Sequence, residues 1–144
     1  MSLRLQVSAG TVACVNDKLQ TYQGSCHCRR VTFEVRANLD HVVDCNCSAC
    51  RRKGALWHGA SNSNLRILTG EAELVLYEFN TKTAKHYFCG HCGVHPFIRP
   101  RLAPSQWAFN VRCIDGVDLS SLEVRPFDGA NWEVAAKAFY ESLK

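Results

Sequence analysis

The chain has 144 residues, 47% hydrophobic and 21% charged, a globular balance that suits one domain. No run approaches the ~20 apolar residues of a membrane-spanning helix. The formal net charge of +4 is a mild basic excess, which taken alone suggests an acidic partner.

From Met1 to Gln20, Leu3, Leu5 and Val7 alternate with Arg4 and Gln6, and Gly10 and Asn16 interrupt any apolar block. This pattern is not that of a secretion leader, so the expected compartment is cytoplasmic. Residues 1–21 are expected to form an N-terminal strand or extension, and 22–144 the domain proper. Period-2 patterning then predicts strands. Val31, Phe33 and Val35 share one face, as do Val75, Tyr77 and Phe79 in the run Glu73 to Phe79. Phe109, Val111 and Cys113 alternate with Ala108, Asn110 and Arg112, and Leu122 to Arg125 reads as a short strand before Pro126. Asp128 to Asn131 offers capping residues for a C-terminal helix. Trp132, Ala135, Ala136, Phe139 and Leu143 recur at helical spacing, predicting an apolar stripe laid on a sheet, with Trp132 and Phe139 in the core.

Nine cysteines admit two accounts. Disulfides suit an oxidising compartment. The odd number, the missing leader and the tight clustering favour metal ligation instead. Cys26-His27-Cys28 and Cys45-Asn46-Cys47 are too close for easy internal bridges.

Four features follow along the chain: Cys26 with Cys28, the run Cys45, Cys47 and Cys50, the knuckle Cys89-Gly90-His91-Cys92-Gly93, and the isolated Cys14 and Cys113. A C-x-x-C turn aims two sulfurs at one point, and Gly93 can take positive φ behind it. A C-x-C in extended chain puts both side chains on one face. Each pair is half of a tetrahedral zinc site. Seven clustered cysteines therefore divide as four plus three: Cys26, Cys28, Cys89 and Cys92 around one zinc, and Cys45, Cys47 and Cys50 around a second. The fourth ligand of the second is either an open position or a histidine, with His27, His41, His58, His86, His91 and His95 as donors. Loop cysteines that bind no metal are the remaining alternative. Cys14 and Cys113 are expected to be buried small hydrophobes. With seven thiolates (−7) and two Zn²⁺ (+4), the net charge falls from +4 to +1, which removes the simplest argument for nucleic acid.

Three segments together resemble one family. They are Gly24-Ser25-Cys26-His27-Cys28, Asp44-Cys45-Asn46-Cys47-Ser48-Ala49-Cys50-Arg51, and His86 through Phe97. Their order is similar to that of the glutathione-dependent formaldehyde-activating enzymes, a family that includes the centromere protein V domain. The likeness runs from about Tyr22 to Phe139. It implies a mainly β, Mss4-like fold with zinc knuckles and a short C-terminal helix. It further implies a structural zinc on Cys26, Cys28, Cys89 and Cys92, and a catalytic zinc on Cys45, Cys47 and Cys50. The implied activity is that of a carbon–sulfur lyase-type enzyme joining glutathione, a small thiol, to formaldehyde as S-(hydroxymethyl)glutathione. The alternative is a zinc-stabilised binding module for chromatin or cytoskeleton, although the chain has no basic tail. Arg29 departs from the family pattern, which commonly has glycine after the second cysteine.

Arg51, Arg52 and Lys53 follow Cys50 and can offset thiolate charge or receive a substrate carboxylate, the alternative being a solvated basic turn. Arg99, Arg101 and Arg112 are further candidates of that kind. Trp57 reads as core and His58 as a surface polar group, with a pocket wall as the alternative for both.

Overall fold

The computed structural model describes residues 19–144; the expected extension over 1–21, apart from 19–21, and Cys14 lie outside them. Among the described residues ten strands form two sheets. The smaller contains β1 (Gln20–Ser25), β2 (Thr32–Ala37) and β5 (Leu65–Thr69) in the order β1-β2-β5. The larger contains β3 (His41–Cys45), β4 (Trp57–Ala60), β6 (Leu74–Tyr77), β7 (Lys85–Cys89), β8 (Phe97–Arg99), β9 (Trp107–Asn110) and β10 (Glu123–Phe127). Their order is β10-β3-β4-β9-β8-β7-β6. Two helices, α1 (Cys50–Lys53) and α2 (Trp132–Ser142), complete the mainly β fold, as expected.

The alternating faces of the strands account for both apolar clusters. Phe97 and Phe109, on adjacent β8 and β9, are fully buried against Phe33 and Val35 of the smaller sheet. Phe33 meets Phe97 edge to face with ring centres 5.3 Å apart, a favoured aromatic geometry. The next residue on each strand faces the other way. Ile98, Ala108 and Trp57 thus make a second cluster with Cys50 and Ala55, against which Cys45 and Cys47 pack. The large sheet therefore has the main core on one face and the three-cysteine loop on the other.

Three expectations need correction. The strand predicted through Cys113 stops at Asn110, and Val111–Cys113 is a 3-10 turn. The Asn110 side-chain carbonyl accepts N–H bonds from Arg112 at 3.1 Å and Leu56 at 3.3 Å, which competes with the ladder. Cys113 is nevertheless buried, as expected. The last strand continues through Pro126, because β10 is an edge strand and its imide needs no partner on the open side. It pairs in parallel with β3, Pro126 opposite Asp44.

The largest departure concerns α2. Only Ala136 is buried; Val134 and Leu143 are 74% and 68% exposed, and Phe139 is exposed too. Most of the predicted stripe therefore lies outside the core. The helix rests on the 100–102 turn instead: the Tyr140 hydroxyl donates to the Leu102 carbonyl at 2.6 Å, and the Arg101 guanidinium covers the Trp132 ring at 3.7 Å. Asn131 stands at the helix start without a side-chain capping bond, and the Asp128 carboxylate accepts from the Asn46 and Asn131 side-chain amides.

Candidate metal centres

The first centre joins the two sheets. Cys26 and Cys28 sit in the turn between β1 and β2, which is not the extended chain expected from their spacing. The Cys26 N–H donates to the Val31 carbonyl at 3.0 Å, and Arg29 takes φ +66°. That left-handed conformation costs a side chain ~1–2 kcal/mol, the physical reason a glycine suits this position. Cys89 ends β7, and Gly93 at φ +80° turns the chain so that its N–H reaches the Cys89 carbonyl at 2.8 Å. The four cysteine ligand atoms lie within 4.8 Å of one another. Cys26 and Cys28 sulfurs are 3.7 Å apart, Cys28 and Cys89 sulfurs 3.6 Å. Tetrahedral bonds of ~2.3 Å require sulfurs about 3.8 Å apart, so the group fits a zinc-sized ion. Backbone N–H groups of Val31 and His91 donate to the Cys26 and Cys89 sulfurs, both at 3.4 Å.

The second centre is local in sequence. Cys45 ends β3 and Cys50 opens α1, so a strand end and a helix start bring three ligand atoms within 4.8 Å. No histidine joins that group among the described residues. The Cys50 N–H donates to the Cys47 sulfur at 3.3 Å, and the Trp57 indole N–H to the Cys50 sulfur at 3.3 Å. The sulfurs of Cys45 and Cys50, with the N–H groups of Cys50 and Ala49, hold the Cys47 thiol far below its usual pKa. Cys50 is pushed far up by Cys45 and Cys47 and by burial. A set in which one sulfur readily carries charge suits a thiolate-binding metal.

A strap from the chain's end closes this loop from above. Asn46 donates its backbone N–H to the Phe127 carbonyl at 3.2 Å and accepts the Ala130 N–H at 2.9 Å. Its amide also donates to Asp128 at 3.0 Å. Gly129 passes so near that an added Cβ would lie 2.6 Å from the Cys45 sulfur and 3.0 Å from the Cys47 Cβ. Gly129→Ala is accordingly expected to lift the strap, at about 1–3 kcal/mol of overpacking. Metal should become more easily stripped from the three-cysteine group alone, read as metal per chain after mild chelation. Equal retention in variant and wild type would refute a sealing role.

The basic residues separate into distinct roles. Lys53 lies on α1 one turn from Cys50 and gives an N–H to His86 Nδ1, while His86 is itself buried. Desolvation pulls the Lys53 ammonium down to about 8, against the upward pull of Cys50, Cys47 and Cys45. Burial, then the Lys53 charge, lowers His86 and His95 to about 4, so both imidazoles are neutral at pH 7. His95 Nδ1 is buried without a partner. Arg52, Lys53, His95, Asn110, Arg112 and Cys113 line a cavity of about 500 Å³ between α1 and the knuckle. The three sulfurs do not line it; Lys53 is the residue common to both. Arg51 is exposed. Arg99 stacks on Trp107 and Arg101 on Trp132, so of the three more distant arginines only Arg112 reaches the cavity. Trp57 is core, as expected, whereas His58 is half-buried with its Nε2 sealed from solvent.

The cluster of Lys53 with His86 and His95 is not legible in the sequence, where the histidines read only as metal donors. The available signal was the three-residue step from Cys50 to Lys53, which puts both on one helical face.

The family model of the glutathione-dependent formaldehyde-activating enzymes matches residues 21–127, spanning both cysteine groups. The chain belongs to this family. A crystal structure of a Rhodobacter sphaeroides protein is similar as well, with 39% identity and a TM-score of 0.67, covering 72% of this chain and 97% of that one. Family membership implies an enzyme that handles formaldehyde and a glutathione-related substrate. None of the described helices is long and apolar enough to cross a membrane.

Proposed function

We propose that this family member is a zinc-dependent carbon–sulfur lyase-type enzyme that forms and breaks S-(hydroxymethyl)glutathione or a closely related small-thiol adduct. Cys26, Cys28, Cys89 and Cys92 would hold a structural zinc, and Cys45, Cys47 and Cys50 a catalytic-type one. The observation that carries the reading is the three-sulfur group with no fourth protein donor among the described residues, set beside a cationic cavity through Lys53. Bound zinc would supply a Lewis-acid position that keeps an incoming thiol as thiolate at neutral pH. A thiol of pKa ~8.5 is only about 3% thiolate at pH 7, so full ionisation is worth up to ~30-fold.

The chain's own residues supply orientation and charge. Arg52 and Arg112 line the cavity, and their guanidinium groups suit the carboxylates that a glutathione-like thiol carries. Lys53 offsets the negative charge gathered at the sulfurs. The reaction balances without an oxidant: sulfur bonds to the aldehyde carbon, the carbonyl π bond breaks, and the thiol's proton ends on oxygen. Positioning both reactants is the larger source of acceleration.

Because glutathione and formaldehyde combine spontaneously, exchange NMR of the adduct should be compared without enzyme, with wild type and with Cys47→Ser. Acceleration by wild type alone is the expected result. Rates equal to the uncatalysed one, with no thiol bound at the metal, would favour a binding module.

A further inference from the structure

We propose that His41 and His58, with Asp40 orienting the His41 ring, form a third cation site, separate from both cysteine groups, for a divalent ion that favours imidazole, with Zn²⁺ the best match. The three residues each offer a ligand atom, all within 4.8 Å of one another. The two imidazole rings lie 4.7 Å apart, centre to centre. What distinguishes this group from an ordinary surface cluster is how the ring nitrogens are already used. His58 Nδ1 lies 2.9 Å from the Gly59 carbonyl, which can only accept, so Nδ1 carries the proton. His41 Nδ1 lies 2.7 Å from the Asp40 carboxylate, which likewise accepts. For His58 the lone pair is thereby on Nε2, and in His41 the Asp40 contact takes Nδ1 and leaves Nε2 for an ion. Metal-binding histidines almost always hand their other N–H to a carboxylate or backbone carbonyl in this way.

The second observation is independent. His58 Nε2 is buried and has no hydrogen-bond partner. A buried acceptor left unpaired costs free energy comparable to a lost hydrogen bond, and a metal ion would satisfy it. Burial also lowers the His58 pKa, which keeps the ring neutral and able to ligate. Two imidazole ligands suit zinc, copper or nickel over magnesium or calcium, with the Asp40 carboxylate holding the His41 ring in place.

The position gives the ion a structural task. His41 opens β3 and His58 lies in β4, and these neighbours pair at one register position, Val43 with Trp57. An ion bridging the two strands would clip this seam in the large sheet. One group opposes binding: the Arg125 guanidinium acts on both Asp40 and His58. It is paired at 3.1 Å with Glu123, whose position on β10 is opposite His41. The site should therefore bind more weakly than a four-thiolate centre.

The test is calorimetric titration of Zn²⁺ into protein already loaded at its cysteines, with long-range ¹H–¹⁵N spectra of the imidazoles. A saturable further equivalent is expected, with the His41 and His58 Nε2 resonances moving together. His41→Ala and His58→Ala should each abolish it, and Asp40→Asn should weaken it by about 10–100-fold. His41 opens its strand, so His41→Ala keeps the test decisive if His58→Ala misfolds. Absence of a saturable further equivalent, or one that survives His41→Ala unchanged, would overturn the site.

Discussion

Cys89→Ser is expected to yield an insoluble or early-melting protein, and Cys47→Ser a folded one that has lost one of two metal ions. Cys89 is fully buried in the main core, and its group ties the β1–β2 turn of one sheet to the end of β7 in the other. Structural zinc contributes roughly 10–16 kcal/mol of binding free energy to folding, as much as a whole domain's net stability of 5–15 kcal/mol. Losing even ~5 kcal/mol of it would lower the melting temperature by roughly 15 °C in a chain of this size. Cys47 belongs to a group spanning only Cys45 to Cys50, so a metal there would close a short loop and remove little entropy from the unfolded chain. The loop is also held without metal, by the Phe127 and Ala130 bonds to Asn46. Elemental analysis with calorimetric melting checks both halves. Equal collapse of the two variants would make both centres structural.

The cysteine groups were legible because each half-site is local: two sulfurs within a few residues must point together whatever the rest of the chain does. The division into four and three followed, and the structure assembles the same two sets. Trp57 was legible as core because a large apolar side chain is more often buried than exposed, and it is 4% exposed. What escaped depends on partners distant in sequence. The apolar spacing of α2 gives a correct helix, but spacing cannot show how much of its stripe is buried; here only Ala136 is, and Tyr140 and Trp132 contact Leu102 and Arg101. Nor could local patterning show that Asn110 would spend its side chain on Leu56 and Arg112 and end its strand. The strap over Cys45 combines both difficulties, since Asn46 and Gly129 meet only through the parallel β3–β10 pairing.

Lys53→Met is expected to lower kcat/KM for the thiol–aldehyde reaction by about 10–100-fold while leaving the melting temperature equal or higher. The charge count sets the direction. A zinc held by Cys45, Cys47 and Cys50 as thiolates would carry −1, and a substrate thiolate would add a further charge, so the Lys53 ammonium would offset the excess. At an effective dielectric of ~20, unit charges a few ångströms apart interact by ~2–4 kcal/mol, and each ~1.4 kcal/mol is tenfold. Stability moves the other way because burial disfavours the Lys53 charge, lowering its pKa from 10.5 to about 8. Between those values the unfolded chain binds the proton and the folded one does not, so stability should rise with pH across that window in wild type. Lys53→Met should lack that rise. Activity should follow the ammonium itself and fall as pH rises through about 8. Lys53→Arg, which keeps its charge well above that pH, should move the fall upward or erase it. The pH profile separates this role from a merely structural one, in which Lys53→Arg and wild type would share the same profile. An unchanged kcat/KM in Lys53→Met would show that the charge at the sulfurs is balanced elsewhere, with Arg52 and Arg112 the next residues to change.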